Sequence, residues 1–193
     1  RSWGVFGQGY GPLTIGFAET NNTDVTNSYG ILTSQTFTKF TDAEKSVVET
    51  GIRLYSGFAN ITFNEINPSG YSDAATILFR NYSDTDPNHD VGGFAYEPGS
   101  TSVSGVSGDV FINSGHYTDY ASGSKGSKTI LHEFGHALGL EHPGDYNAGP
   151  GSENISYANS AIFYEDTRQY SIMSYWEASN SGANHIYKGQ VIY

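Results

Sequence analysis

Two stretches of the chain repeat their apolar residues at helical spacing, and five shorter ones carry the alternation or the apolar runs of strands. Thr41-Asp42-Ala43-Glu44 reads as a capping box, in which a threonine hydroxyl and a glutamate carboxylate three residues later satisfy each other's backbone N–H groups. Behind it Val47, Val48, Ile52, Tyr55 and Phe58 recur on one helical face. Gly51 and Gly57 weaken that helix without refuting it. The second helix runs over 127–140, with Ile130, Phe134, Ala137 and Leu138 on one side. Strands are predicted at 12–19 (PLTIGFAE), 61–66 (ITFNEI), 76–79 (TILF), 93–96 and 109–113 (DVFIN), with a Gly- and Ser-rich loop over 100–108. From Gly144 onward Asn, Gly, Ser and Tyr dominate and no period survives. The order strand, helix, four strands, helix, loops predicts an α+β architecture: a small mixed five-stranded sheet, two main helices and an irregular C-terminal subdomain. Residues 1–193 are expected to form one domain, divided by a cleft into an N-terminal subdomain (about 1–142) and a C-terminal one (about 143–193).

Charge narrows the partners. Nine Lys and Arg against twenty Asp and Glu leave a formal charge of −11, which repels the phosphate backbone of nucleic acids. The absence of cysteine removes disulfides, thiolate metal sites and thiol nucleophiles together. No apolar run of about 18 residues exists to span a membrane. The chain opens at Arg1 without a secretory-type stretch and reads as a processed product. Sequons at Asn21, Asn60, Asn81 and Asn154 are read as by-products of a composition rich in Asn, Ser and Thr.

The chemistry concentrates in HEFGHALGLEH, residues 132–142. His132 and His136 lie four apart and therefore project from one face of a helix, about one turn from each other. That spacing suits two imidazole ligands to one zinc ion, and the apolar side of the same helix faces away from them. Gly139 falls where a helix end favours a left-handed residue, so that the chain turns and His142 swings back as a third ligand. Three neutral imidazoles leave the metal its full charge and an open position for water, and Glu133, next to the first ligand, is placed to take the water's proton. The bland alternative, a helix with surface histidines, does not account for half of the chain's six histidines falling in eleven residues. His89, His116 and His185 have no such spacing and are read as surface or hydrogen-bonding residues.

The chain's single methionine, Met173, stands in Ser171-Ile172-Met173-Ser174-Tyr175-Trp176, about thirty residues after the histidines. An extended zinc motif followed by a methionine turn is the metzincin pattern. The segments 132–149 (HEFGHALGLEHPGDYNAG) and 165–176 (EDTRQYSIMSYW) resemble the serralysin family of metzincins. Met-x-Tyr also occurs in astacins, but Pro143-Gly144-Asp145-Tyr146-Asn147 favours serralysin. The resemblance is dense over 129–176 and looser before it.

It implies a metzincin-type zincin fold and a secreted, extracellular bacterial metalloendopeptidase that binds one Zn²⁺ and acts on protein or peptide substrates. Such an enzyme is expected to be a monomer and open to a proteinaceous inhibitor. Met173 would underlie the metal as a hydrophobic base, and Tyr175 would be a phenolic ligand or a hydrogen-bond donor there. The sheet-edge strand of the family maps to Gly93, Phe94, Ala95 and Tyr96, whose main chain would pair with extended substrate. Serralysins continue into a further helix and a calcium-binding repeat, so the chain is expected to be a fragment, a nicked product or a short member. Asp84, Asp86, Asn88 and Asp90 alternate as Ca²⁺ ligands do, but His89 replaces the expected glycine and Ala95 the final glutamate, which favours a solvated acidic turn over a Ca²⁺ site. Two other functions compete. A binding module with structural zinc has no use for Glu133, and a zinc hydrolase acting on something other than peptide has none for the edge strand.

Overall fold

The computed structural model describes residues 3, 11–20, 25, 36–68, 70–86, 88–89, 91–100, 105–148, 154–183, 186–187 and 190–191. Five strands, β1 (Leu13–Phe17), β2 (Phe63–Glu65), β3 (Ile77–Tyr82), β4 (Gly93–Ala95) and β5 (Val110–Asn113), form one sheet in the order β2-β1-β3-β5-β4. The first four in that order are mutually parallel and β4 runs antiparallel to β5 at the edge, as the predicted mixed five-stranded sheet requires. Two helices, α1 (Asp42–Phe58) and α2 (Lys125–Ala137), pack together on one face.

The alternating strand residues account for the core. Leu13, Ile15 and Phe17 of β1, Ile77 and Phe79 of β3, and Val110 and Ile112 of β5 point to the helices and meet Val47, Val48 and Tyr55 of α1 and Ile130, Phe134 and Ala137 of α2. Phe134 is fully buried and its ring stands edge-on to those of Phe79 and Tyr55, 5.2 Å away in each case. Gly51 is where α1 lets α2 approach, since a Cβ there would lie 2.8 Å from the Phe134 ring. Phe58 is a correction: placed by its period on the buried face, it is 73% exposed, because it falls in the last turn beyond the reach of the sheet.

The capping box forms as read, with Thr41 N–H donating to Glu44 at 2.6 Å. The other oxygen of Glu44 accepts from Asn81 of β3, which ties the helix start to the sheet. Strand β3 extends three residues beyond the apolar run, through Arg80, Asn81 and Tyr82. Arg80 and Asp109, each 2% exposed, form an ion pair at 3.2 Å on the face away from the helices. Burial pushes the Asp109 carboxyl up to about 6, against the pull of Arg80.

After α2 regular structure thins to α3 (Tyr157–Ser160), a 3-10 turn (Ala178–Ser181) and the short strands β6 (Ile186–Tyr187) and β7 (Gln190–Val191). No helix among the described residues is long and apolar enough to cross a membrane.

Candidate active site

Helix α2 starts on the Ser124 side chain, which accepts from Ser127 N–H, and ends in a Schellman turn. Gly139 adopts a φ of +96°, its N–H donates to His136 C=O at 2.9 Å, and Leu140 N–H donates to Gly135 C=O at 3.0 Å. The turn reverses the chain so that His142 comes back to His132 and His136. Their Nε2 atoms form a triangle with edges of 3.0, 3.1 and 3.2 Å. Among the described residues this is the one group of three or more His, Cys, Asp or Glu donors that lie within 4.8 Å of one another.

Each imidazole is oriented by a backbone carbonyl. Nδ1 of His132 donates to Ile172 C=O at 2.8 Å, that of His136 to Leu140 C=O at 2.7 Å, and that of His142 to Tyr146 C=O at 2.7 Å. A carbonyl only accepts, so the proton sits on Nδ1 and a neutral ring turns its Nε2 lone pair inward. Burial keeps the rings neutral: it drives His132 down to about 3, His142 down to about 4 and His136 in the same direction, outweighing the carbonyl bonds. Three lone pairs thus converge with no proton between them, an arrangement that repels itself and favours a cation. Tetrahedral coordination at about 2.0–2.1 Å separates ligand nitrogens by roughly 3.3–3.4 Å, close to the edges found here. The donor set therefore fits zinc.

Glu133 points from α2 toward the sheet edge. A Cβ on Gly93 would lie 3.2 Å from Glu133 Cγ, so the glycine admits the carboxylate beside the strand. Burial pushes this carboxyl up to about 8. Met173 is 3% exposed, and its sulfur would lie 2.5 Å from a Cβ on Gly135, between the two helical ligands. Its neighbour Ile172 supplies the carbonyl that holds His132. The ring of Tyr175 lies 4.5 Å from that of His142 and 5.7 Å from that of His132, and its hydroxyl accepts from Ala148 N–H at 3.3 Å.

A cleft runs between the β4 edge, α2 and the segment around Arg168, Tyr175 and Trp176. Gly93, Phe94 and Ala95 line it mainly with main chain, because Phe94 and Tyr96 turn their rings to a second cluster with Tyr82 and Phe111 on the opposite face. The acidic loop behaves differently. Asp84 accepts from Asp86 N–H and from the His89 ring, and Asp86 from Asn88 N–H, so these carboxylates are engaged within the turn. Asp90 lies outside the described residues.

Several contributors have no motif. Tyr146 stacks on His142 with ring centroids 5.1 Å apart, and its hydroxyl donates to Asp166 at 2.8 Å, a carboxylate 1% exposed. Both residues stand in segments that resemble serralysins, yet only contacts across 20 residues reveal their role. The three orienting carbonyls leave no trace in the sequence at all.

Comparison with known proteins agrees with this geometry. The matrixin peptidases (Peptidase_M10) match residues 18–149. Serralysin B of Dickeya chrysanthemi is 40% identical over 149 residues, 76% of this chain and 30% of the relative. Metalloprotease AprA of Pseudomonas entomophila is 35% identical over 161 residues (82% and 31%), and Metallopeptidase AprA of Pseudomonas marginalis 35% identical over 182 residues (92% and 35%). The chain spans about a third of the length of these relatives.

Proposed function

The chain belongs to the matrixin family of peptidases, and on that premise we propose that it is a zinc-dependent endopeptidase, exported from a bacterium, that hydrolyses peptide bonds in proteins. One observation carries the reading: three inward imidazole lone pairs converge one residue from a buried carboxylate, beside an open sheet edge. The bacterial origin of the serralysin and AprA relatives supports the location.

His132, His136 and His142 would hold the metal, with Met173 packed beneath. Bound zinc supplies Lewis acidity toward a carbonyl and lowers the pKa of a coordinated water. The chain's own groups divide the remaining work. The main chain of β4 pairs with extended substrate at Gly93 and Ala95 and sets the scissile bond above the histidines, whereas the expected contribution of Tyr96 is corrected, because its N–H and C=O are taken by Asp109 and Gly108. Glu133 takes a proton from the attacking water and returns it to the leaving amine. Tyr175, on leaving Ala148 N–H, donates to the developing oxyanion.

Glu133→Gln tests the assignment, because an amide cannot accept the proton. The variant should bind zinc and fold normally while kcat/KM on a peptide falls by about 10²–10⁴-fold. Retention of more than roughly a tenth of the activity would reject Glu133 as the base. Tyr175→Phe should lower kcat about 10²–10³-fold with zinc content unchanged by atomic emission. Loss of zinc instead would make the phenol a ligand.

A further inference from the structure

The chain is strongly acidic, yet three of its nine basic residues, Lys125, Lys128 and Arg168, line one end of the cleft. Lys128 and Arg168 lie 40 positions apart in sequence and meet only because the segment carrying Arg168 docks against the first half of α2. Both are half-buried, while Lys125 is exposed. Arg168 pairs with Glu177 across this end and Glu177 also acts on Lys128, so among the described residues that line it three positive groups share one carboxylate. Burial holds the Lys128 ammonium below the usual lysine range, Glu177 draws it back up, and Arg168 and then Lys125 push it down by less. Among the described lining residues this end of the cleft therefore carries more positive than negative charge. At the opposite end Glu97, two residues past β4, lines the cleft.

The direction of a bound chain follows from three contacts. The Thr129 hydroxyl donates to Tyr117 at 2.9 Å, and a Cβ on Gly92 would collide with that same phenol. Gly93, the next residue along the chain, abuts Glu133, one turn further along α2. Strand β4 and helix α2 therefore run the same way along the cleft, from the basic end to the acidic end. A peptide added antiparallel to β4, the slightly more stable pairing, enters at Glu97 and leaves past Gly92. Its residues beyond the scissile bond then pass Lys128 and Arg168.

We infer that Lys128 and Arg168, reinforced by Lys125, form a subsite for acidic side chains on the C-terminal side of the cleaved bond. This rests on the peptidase reading above and adds a substrate class to it: acidic segments of proteins, cut just ahead of Asp or Glu. Ion pairs at partly exposed positions are weak singly, and two acting together favour the acidic substrate by about five- to tenfold.

The test uses the zinc-loaded enzyme and peptide pairs that differ only in Glu or Lys at successive positions after the cut, with cleavage sites mapped by mass. The Glu peptide should have the higher kcat/KM, and about 0.5 M salt should shrink the ratio by screening. The double variant Lys128→Glu, Arg168→Glu should invert the preference. The readout is a ratio between two peptides, so it does not depend on the fraction of variant that folds. Should the double variant not fold, Lys128→Met alone should move the ratio toward one. Equal cleavage of both peptides, a ratio indifferent to these substitutions, or an acidic preference confined to the N-terminal side overturns the inference and leaves the peptidase reading intact. Cleavage of neither peptide overturns both.

Discussion

Between residues 13 and 137 nearly every element sends apolar side chains into one shared core, whereas between 142 and 183 the chain is held mostly by polar ties. Among the described residues of the later stretch the buried apolar ones are Tyr146, Met173 and Ala178, and the buried polar ones are Asp166, Thr167, Ser174 and Ser181. Tyr146 bonds Asp166, Thr167 bonds Ser181 at 2.8 Å, and the Tyr164 hydroxyl donates to Ser181 C=O at 2.6 Å. Meanwhile Ile162, Phe163 and Tyr164 stay more than half exposed. Periodic burial positions the first region and makes it stiff enough to carry two ligands and Glu133. The second has no such period, and it orients His132 and His142 through the carbonyls of Ile172 and Tyr146. The metal centre sits at the joint and draws on both kinds of order.

Substitutions should therefore break the two regions differently. Phe134→Ala empties the contact of α2 with α1 and β3 and should cost about 3–5 kcal/mol of global stability, read as a fall in urea midpoint. A loss below roughly 1 kcal/mol would mean that the core does not carry the first region.

Asp109 probes the same region by pH. Its folded pKa of about 6 lies above the ordinary carboxyl value of 3.8, so the folded state holds the proton more tightly. Its contribution is complete below pH 3.8 and is lost as pH rises through 6. Asp109→Asn lacks that titration. Relative to the variant, the parent should lose on the order of 3 kcal/mol between these limits, measured by urea unfolding at each pH. A constant difference across the window would contradict the burial argument.

Tyr146→Phe is the matching test in the second region. It leaves both oxygens of Asp166 without a partner among the described residues, since Oδ2 already has none, at a cost of about 1–3 kcal/mol. The effect should appear as weaker zinc binding, about 10–100-fold, in a competitive chelator titration, with a loss of urea midpoint smaller than that of Phe134→Ala. Equal loss of midpoint and zinc affinity would erase the distinction between the regions.

What the sequence determined by itself is what short-range geometry encodes. His132 and His136 share a helix face by spacing alone, Gly139 marks the turn that returns His142, and the Thr41–Glu44 box marks a helix start. Strand alternation likewise suffices for the inward residues of β1 and the five-stranded sheet. Tertiary structure decided the rest, because the partners are distant in sequence or are backbone atoms. Arg80 and Asn81 break an apolar pattern and look like the end of a strand until Asp109 and Glu44, 29 and 37 residues away, supply their hydrogen bonds. The carbonyls of Leu140, Tyr146 and Ile172 select the tautomer of each histidine, yet any residue type presents the same C=O. Nor does any local pattern mark Lys128 and Arg168 as neighbours, since only the docking of the second region onto α2 brings their charges to one end of the cleft.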